Sequence, residues 1–246
     1  MRKYSGIPLV AAVLIASSAV LYYCHYLVFH DPHHIFIYML GDIAFVPLEV
    51  LLVVIVIERI LSQRERRSLM NKLNMVIGAF FSEVGTQLLG ELTPAVTERG
   101  EVRERLGVRA DWRPREFRRG IAFEHDFSCR VDPGGVDLAG LRDFLAAKRG
   151  FLVRLLENPN LLEHERFTDM LWAVFHVAEE LSARKSLDGL SEPDLAHLAG
   201  DMQRAYSRLT AEWIAYAQHL QTAYPFQFSL MVRIHPLQEH PQAEIT

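Results

Sequence analysis

The 246-residue sequence predicts an all-α protein. It reads as a two-helix transmembrane hairpin, a long stalk helix and a cytoplasmic antiparallel helical bundle. Three observations predict this. Two apolar runs near the start each exceed the roughly 20 residues that cross a bilayer. Apolar residues then recur at helical spacing through most of the remaining chain. No alternating strand pattern, internal repeat or low-complexity tract interrupts them. The organisation follows: residues 1–57 hairpin, 58–90 stalk, 91–135 an Arg-rich connection, 136–237 the bundle and 238–246 a polar, frayed tail.

The first run, Ile7 to Phe29, is too long for a signal peptide's h-region, and it ends in Tyr22, Tyr23, Cys24, His25 and Tyr26 rather than at a small-residue cleavage site. It is read as a retained span. The second run, Ile35 to Ile57, follows after only His30 to His34, so the two should form a tight hairpin. Arg2 and Lys3 precede the first span. Arg59, Arg64, Arg66, Arg67 and Lys72 follow the second, and the linking loop has neither Lys nor Arg. The basic residues therefore place both termini in the cytoplasm. Tyr22, Tyr23, Tyr26 and Tyr38 fit an aromatic belt at the outer interface.

The stalk has no Gly or Pro from Glu58 to Ile77. Leu69, Leu73, Val76, Phe80, Val84 and Leu88 form one stripe. It is either a seam between copies or a face packed on the chain's own bundle. Gly90 and Pro94 mark its end. In the Arg-rich connection, Trp112 interleaves with Arg113, Arg115, Arg118 and Arg119. That pattern fits a short amphipathic element against anionic lipid headgroups, or else a solvated charged face. Interspersed acids argue against nucleic acid as a partner, and so does a net charge of only -4.

Three bundle helices are expected at Asp137 to Glu157, Glu163 to Lys185 and Ser191 to Tyr224. Ser191 should cap the last of these while Asp194 reaches back to it. Phe167, Met170, Leu171, Val174, Ala178 and Leu181 form the core face of the second. Leu198, Met202, Tyr206, Leu209 and Trp213 form that of the third. His176, Glu180, His197 and Asp201 fall on the opposite faces. That placement speaks against a buried metal centre and for ordinary ion pairs such as Asp201 with Arg204 or Arg208.

The outer loop is the other metal candidate. His30, His33 and His34, with Asp31 and His25, could gather around zinc or copper. Cys24 and Cys129 stand far apart in sequence and suggest neither a disulfide nor a metal motif. No nucleophile triad, phosphate-binding glycine loop or zinc-protease helix is present, so no cofactor and no enzymatic activity are expected.

Asp42 and Glu49 share one helix face of the second span. A central acid costs roughly 2.5–3.5 kcal/mol on insertion scales, so such residues mark an assembly or functional site. In a matched hairpin, Ser17 and Ser18 lie level with Glu49. The pairing reading is a neutral Glu49 bonded to these serines, holding the hairpin or an oligomer together. The rival reading is an oligomeric ion or proton pathway lined by Glu49.

The stretches GDIAFVPLEVLLVVIVIERIL, KLNMVIGAFFSEVG and LLEHERFTDMLWAVFHVAEEL resemble an uncharacterised family of bacterial inner-membrane proteins with two N-terminal spans and a helical cytoplasmic part. The resemblance implies that location and architecture and carries no activity. The expectation is a non-enzymatic, membrane-anchored scaffold or signalling partner. Its partners would be the lipid bilayer and a second copy or another membrane protein.

Overall fold

A computed structural model describes the chain apart from residues 1–6, 127–128, 160, 162–163, 239–240 and 245–246. Arg2, Lys3, the expected helix start at Glu163 and parts of the tail lie outside the described residues. So do the side chains of His34, Arg66 and Arg67. The protein is all-α and divides into two compact units, Met1–Arg66 and Arg67–Thr246.

In the first unit, α1 spans Ile7–Phe29 and α2 spans Pro32–Phe80, continuing past Pro47. The link is shorter than the sequence suggests. His30 adopts a left-handed φ of 52°, and its N–H donates to Tyr26 O at 2.9 Å. Asp31 Oδ1 accepts from His33 N at 2.9 Å, so the carboxylate caps α2. Pro32 opens that helix, where a missing N–H leaves nothing unsatisfied. Most apolar side chains of α1 and of the part of α2 before Arg66 are exposed: Ile15 is 71% and Leu40 70% accessible.

The second unit begins within α2. Leu73, Phe80, Val84 and Leu88 are buried against this unit's own helices, so the stripe packs within the chain. Between α2 and α3 (Thr86–Leu92) lies a π-helical turn, Phe81–Gly85, in which Thr86 N–H donates to Phe81 O. The wide turn lets Phe80 and Phe81 both enter the core. Their rings meet edge-on at 5.3 Å, and Phe81 stacks on Tyr216, also at 5.3 Å.

The 91–135 segment is more ordered than a connection. It holds α4 (Arg99–Leu106) and α5 (Pro114–Asp126). A short antiparallel bridge joins Val96 to Val131. Glu98 secures it by accepting from Arg130 N at 3.0 Å and Arg130 Nε at 3.1 Å. The backbone N–H of Arg130, foremost, holds the Glu98 carboxyl below its ordinary range.

Helices α6 (Leu138–Leu156), α7 (Glu165–Ala183) and α8 (Glu192–Ala223) fall where periodicity puts them. Asp137 caps α6, His164 Nδ1 caps α7 and Ser191 caps α8. One detail differs. Asp194 does not complete a capping box; its carboxylate binds Arg184 instead. Tyr224-Pro225 ends α8 but also begins α9 (Pro225–Ile234), with proline again in the first turn. The long α8 is the central element, in contact with α3, α5, α7 and α9, while α6 packs on α7.

Candidate functional site

The residues proposed from the sequence divide sharply. In the spans, Asp42, Glu49, Ser17 and Ser18 are all exposed. Among the described residues, no hydrogen bond or ion pair joins either acid to either serine, so the hairpin leaves both carboxylates without the expected partner.

The outer-loop residues do not converge among the described residues. Asp31 caps α2, and the His25 ring lies 4.6 Å from that of Phe29. The His30 ring lies 6.2 Å from that of Tyr26. The side chain of His34 lies outside the described residues.

Trp112 corrects a further expectation. It is buried, not lipid-facing: its ring meets Phe117 edge-on at 5.2 Å, and Gln221 Nε2 donates to its carbonyl at 2.7 Å. Arg113, Arg115, Arg118 and Arg119 remain exposed.

The constellation that does assemble lies between α7 and α8. These helices are antiparallel, and their polar seam pairs residues in opposite order. Arg184 meets Asp194 at 2.6 Å, His197 meets Glu180 at 3.6 Å, His176 meets Asp201 at 3.3 Å and Arg166 meets Glu212 at 2.9 Å. Each helix supplies the same unit, a histidine with a carboxylate four residues later. On α7 it is His176 and Glu180; on α8 it is His197 and Asp201. Spacing of four places the pair on one face, one turn apart. Antiparallel packing then sets each histidine opposite the other helix's acid.

The geometry within this group is close. Asp201 Oδ2 lies 3.3 Å from both His176 Nε2 and His197 Nε2. Glu180 Oε1 lies 3.8 Å from His176 Nε2. One ligand atom from each of the four residues lies within 4.8 Å of the others. Asp201 is only 4% exposed, while His176 and His197 are about half exposed. Arg204 Nη1 donates to Asp201 Oδ1 at 2.9 Å. Asp201 Oδ2, by contrast, is shut off from solvent and accepts no hydrogen bond of acceptable geometry.

Arg184 frames the site. Its side chain is mostly buried and binds Asp194 through two nitrogens, at 3.1 and 2.6 Å. It also donates to Glu180 Oε2 at 2.7 Å and to the Glu180 carbonyl at 2.6 Å. Its hydrogen bond to Glu180 holds that carboxyl below its ordinary range, and its bonds to Asp194 do the same there. The bonds to Asp194 and Glu180 in turn raise the Arg184 pKa further. Chemically, this is a face where two imidazoles and two carboxylates share either protons or a cation.

A second polar feature escaped the sequence reading. Glu212 belongs to the polar side of its helix yet is 3% exposed. Burial raises its pKa, opposed by the Arg166 and His164 charges. It lines a groove of about 360 Å³ with His164, Tyr216 and His219.

Comparison with known proteins places the chain. Residues 69–233 match the family described as "Uncharacterized protein MJ1433, C-terminal helical domain". Residues 5–61 match "MJ1433, N-terminal helical domain". The chain belongs to the MJ1433 family. The uncharacterized protein MJ1433 of the archaeon Methanocaldococcus jannaschii is 40% identical over 228 residues, covering 93% of this chain and 92% of that protein. The resemblance to an uncharacterised helical family holds, but this relative is archaeal, and the comparisons give no support to the bacterial inner-membrane family expected from the sequence. No solved structure gives a significant match. The family's two helical domains meet between residues 61 and 69, and the two compact units meet between Arg66 and Arg67.

Proposed function

We propose that this MJ1433-family protein is a membrane-anchored helical module, with no catalytic role of its own. Residues 7–57 would cross the plasma membrane twice, which in a bacterium is the inner membrane. The 67–246 unit would lie on the cytoplasmic side with both termini and serve as a scaffold or assembly partner. The observation that carries this reading is the contrast between the two units. The second has a dense apolar core of its own, while α1 and the first part of α2 expose Leu, Ile, Val and Phe along their whole length. Two exposed apolar helices of that length are a liability in water and a fit to hydrocarbon, where helices satisfy their backbone internally. Asp42 and Glu49, exposed and without a hydrogen bond to Ser17 or Ser18 among the described residues, support a partner helix in the bilayer. A second copy of this chain would supply one.

Membrane fractionation tests the anchor. The full chain should stay in the membrane pellet through high salt and alkaline extraction and leave it only in detergent. A chain lacking residues 1–57 should move to the soluble fraction. Release of the full chain by alkali would overturn the reading.

A further inference from the structure

We infer that His176, Glu180, His197 and Asp201 form a binding site for one divalent first-row transition ion, zinc foremost, bridging α7 and α8. Four observations carry this, all independent of the membrane reading. First, the donor set is right: imidazole nitrogen and carboxylate oxygen are the ligands such ions take, and two of each complete a tetrahedron. Second, the spacing is right. Ligands about 2.0–2.1 Å from zinc in a tetrahedron sit about 3.4 Å from one another. The two imidazole nitrogens are each 3.3 Å from Asp201 Oδ2. Glu180 Oε1 lies 3.8 Å from His176 Nε2, and Glu180 Oε2, the oxygen that Arg184 holds, lies 3.6 Å from His197 Nε2. An ion at the centre needs only small side-chain rotations, and the half-exposed histidines are free to make them.

Third, one ligand atom is waiting. Asp201 Oδ2 is buried, carries no hydrogen bond and is aimed between the two imidazoles. A buried polar atom without a partner is costly, and a cation there removes the cost. Fourth, the supporting groups resemble those of metal sites. The other Asp201 oxygen is fixed by Arg204, and Glu180 Oε2 is fixed by Arg184, which is itself clamped to Asp194. Such outer contacts orient ligating carboxylates. Arg204 and Arg184 leave one carboxylate oxygen each facing the gap, so they position the ligands without replacing the ion.

The two units His-x-x-x-Glu and His-x-x-x-Asp come from neighbouring helices of opposite direction. The ion would therefore cross-brace α7 to α8 through two ligands from each. Its exposed imidazole side leaves room for a water or a small anion as a further ligand.

The test uses the full chain, purified in detergent without a histidine tag, stripped with chelator and titrated with Zn²⁺ by calorimetry and with Co²⁺ by visible absorption. The expected result is one ion per chain, with a cobalt spectrum of tetrahedral intensity. His197→Gln and Asp201→Asn should each weaken binding more than the roughly 10–100-fold typical of outer-contact changes, and Arg204→Gln should fall within that range. His33→Gln, in the outer loop, should bind like the parent. His197 is half exposed, so its variant tests the site even if Asp201→Asn fails to fold, with helical circular dichroism as the check. Binding that survives both His176→Gln and His197→Gln overturns the proposal, as does loss of the ion in His33→Gln or no stoichiometric ion at all.

Discussion

At the scale of single residues, His235 shows how a buried titratable group can be satisfied and still govern stability. It is 1% exposed. Its Nδ1 accepts from Leu237 N at 3.2 Å, which leaves Nε2–H to donate to Val108 O at 3.1 Å. The bond from Leu237 requires an unprotonated Nδ1, and burial pushes the pKa down to about 4 from 6.5, opposed by the bond to Val108 O. The unfolded chain therefore binds the proton first as pH falls. The contribution of His235 to stability should be constant above about pH 6.5 and decline from there to about pH 4, by up to ~3 kcal/mol. Denaturant unfolding at several pH values measures this. His235→Gln should lower stability at neutral pH and flatten that part of the profile. Nothing in the sequence singled out His235, because a lone histidine beside Pro236 carries no periodic or motif signal. Trp112 differs from expectation for a related reason: it precedes α5 in the loop after α4, where helical periodicity carries no information about which side chains turn into the core.

At the scale of elements, the wheel identified the core faces of α7 and α8 correctly, from Phe167 to Leu181 and from Leu198 to Trp213. It then set His176, Glu180, His197 and Asp201 aside, because each lies opposite its own helix's core stripe. A wheel treats one helix at a time. It could not see that two polar faces would meet beside the core, where a buried Asp201 joins half-exposed histidines. The missing signal was present, since the repeated His-x-x-x-acid unit on consecutive antiparallel helices puts each histidine opposite the other acid. Arg184 ties the end of α7 to the start of α8 through both Glu180 and Asp194. Its partners are held ionised, so this tie contributes above the ordinary carboxylate range and is lost as pH falls through their lowered values. Arg184→Gln should speed hydrogen exchange in the last turn of α7 and the first turn of α8, with α5 unchanged. Equal acceleration in all three helices would contradict that role.

At the scale of the whole molecule, the same long helix serves two environments. Its early residues are exposed, while Leu73, Ile77 and Phe80 are buried. Phe80→Ala should cost the second unit ~3–5 kcal/mol, as for other buried aromatics. Phe45→Ala, on the exposed stretch, should leave that unit's unfolding midpoint unchanged. Asp42 and Glu49 belong to this scale because, among the described residues, neither meets Ser17 or Ser18, and both are exposed. Glu49→Gln should preserve assembly in detergent-solubilised mass measurements, and Glu49→Leu should weaken it. If Glu49→Leu assembles normally but abolishes an ion current in reconstituted bilayers, the residue serves conduction rather than packing. The hairpin, the stalk periodicity and the three long helices were legible because each repeats one signal over many residues. The partner expected for Glu49 was not, because matching the ends of two helices says nothing about which of their faces meet.

The π turn at Phe81–Gly85 has a consequence for how the chain tolerates length changes. A π turn holds about one residue more than an α turn, so it behaves as a single inserted residue already absorbed by the helix. Removing the exposed Ser82 would tighten the turn to α geometry and return Leu88 to the same heading relative to Leu73. Removing a residue from Leu73 to Phe80 would instead rotate every later side chain by about 100° and pull Leu88 and Leu92 out of the core. When relatives are aligned, a one-residue gap in this helix is therefore expected at residues 81–85, and nowhere else between Leu73 and Leu92.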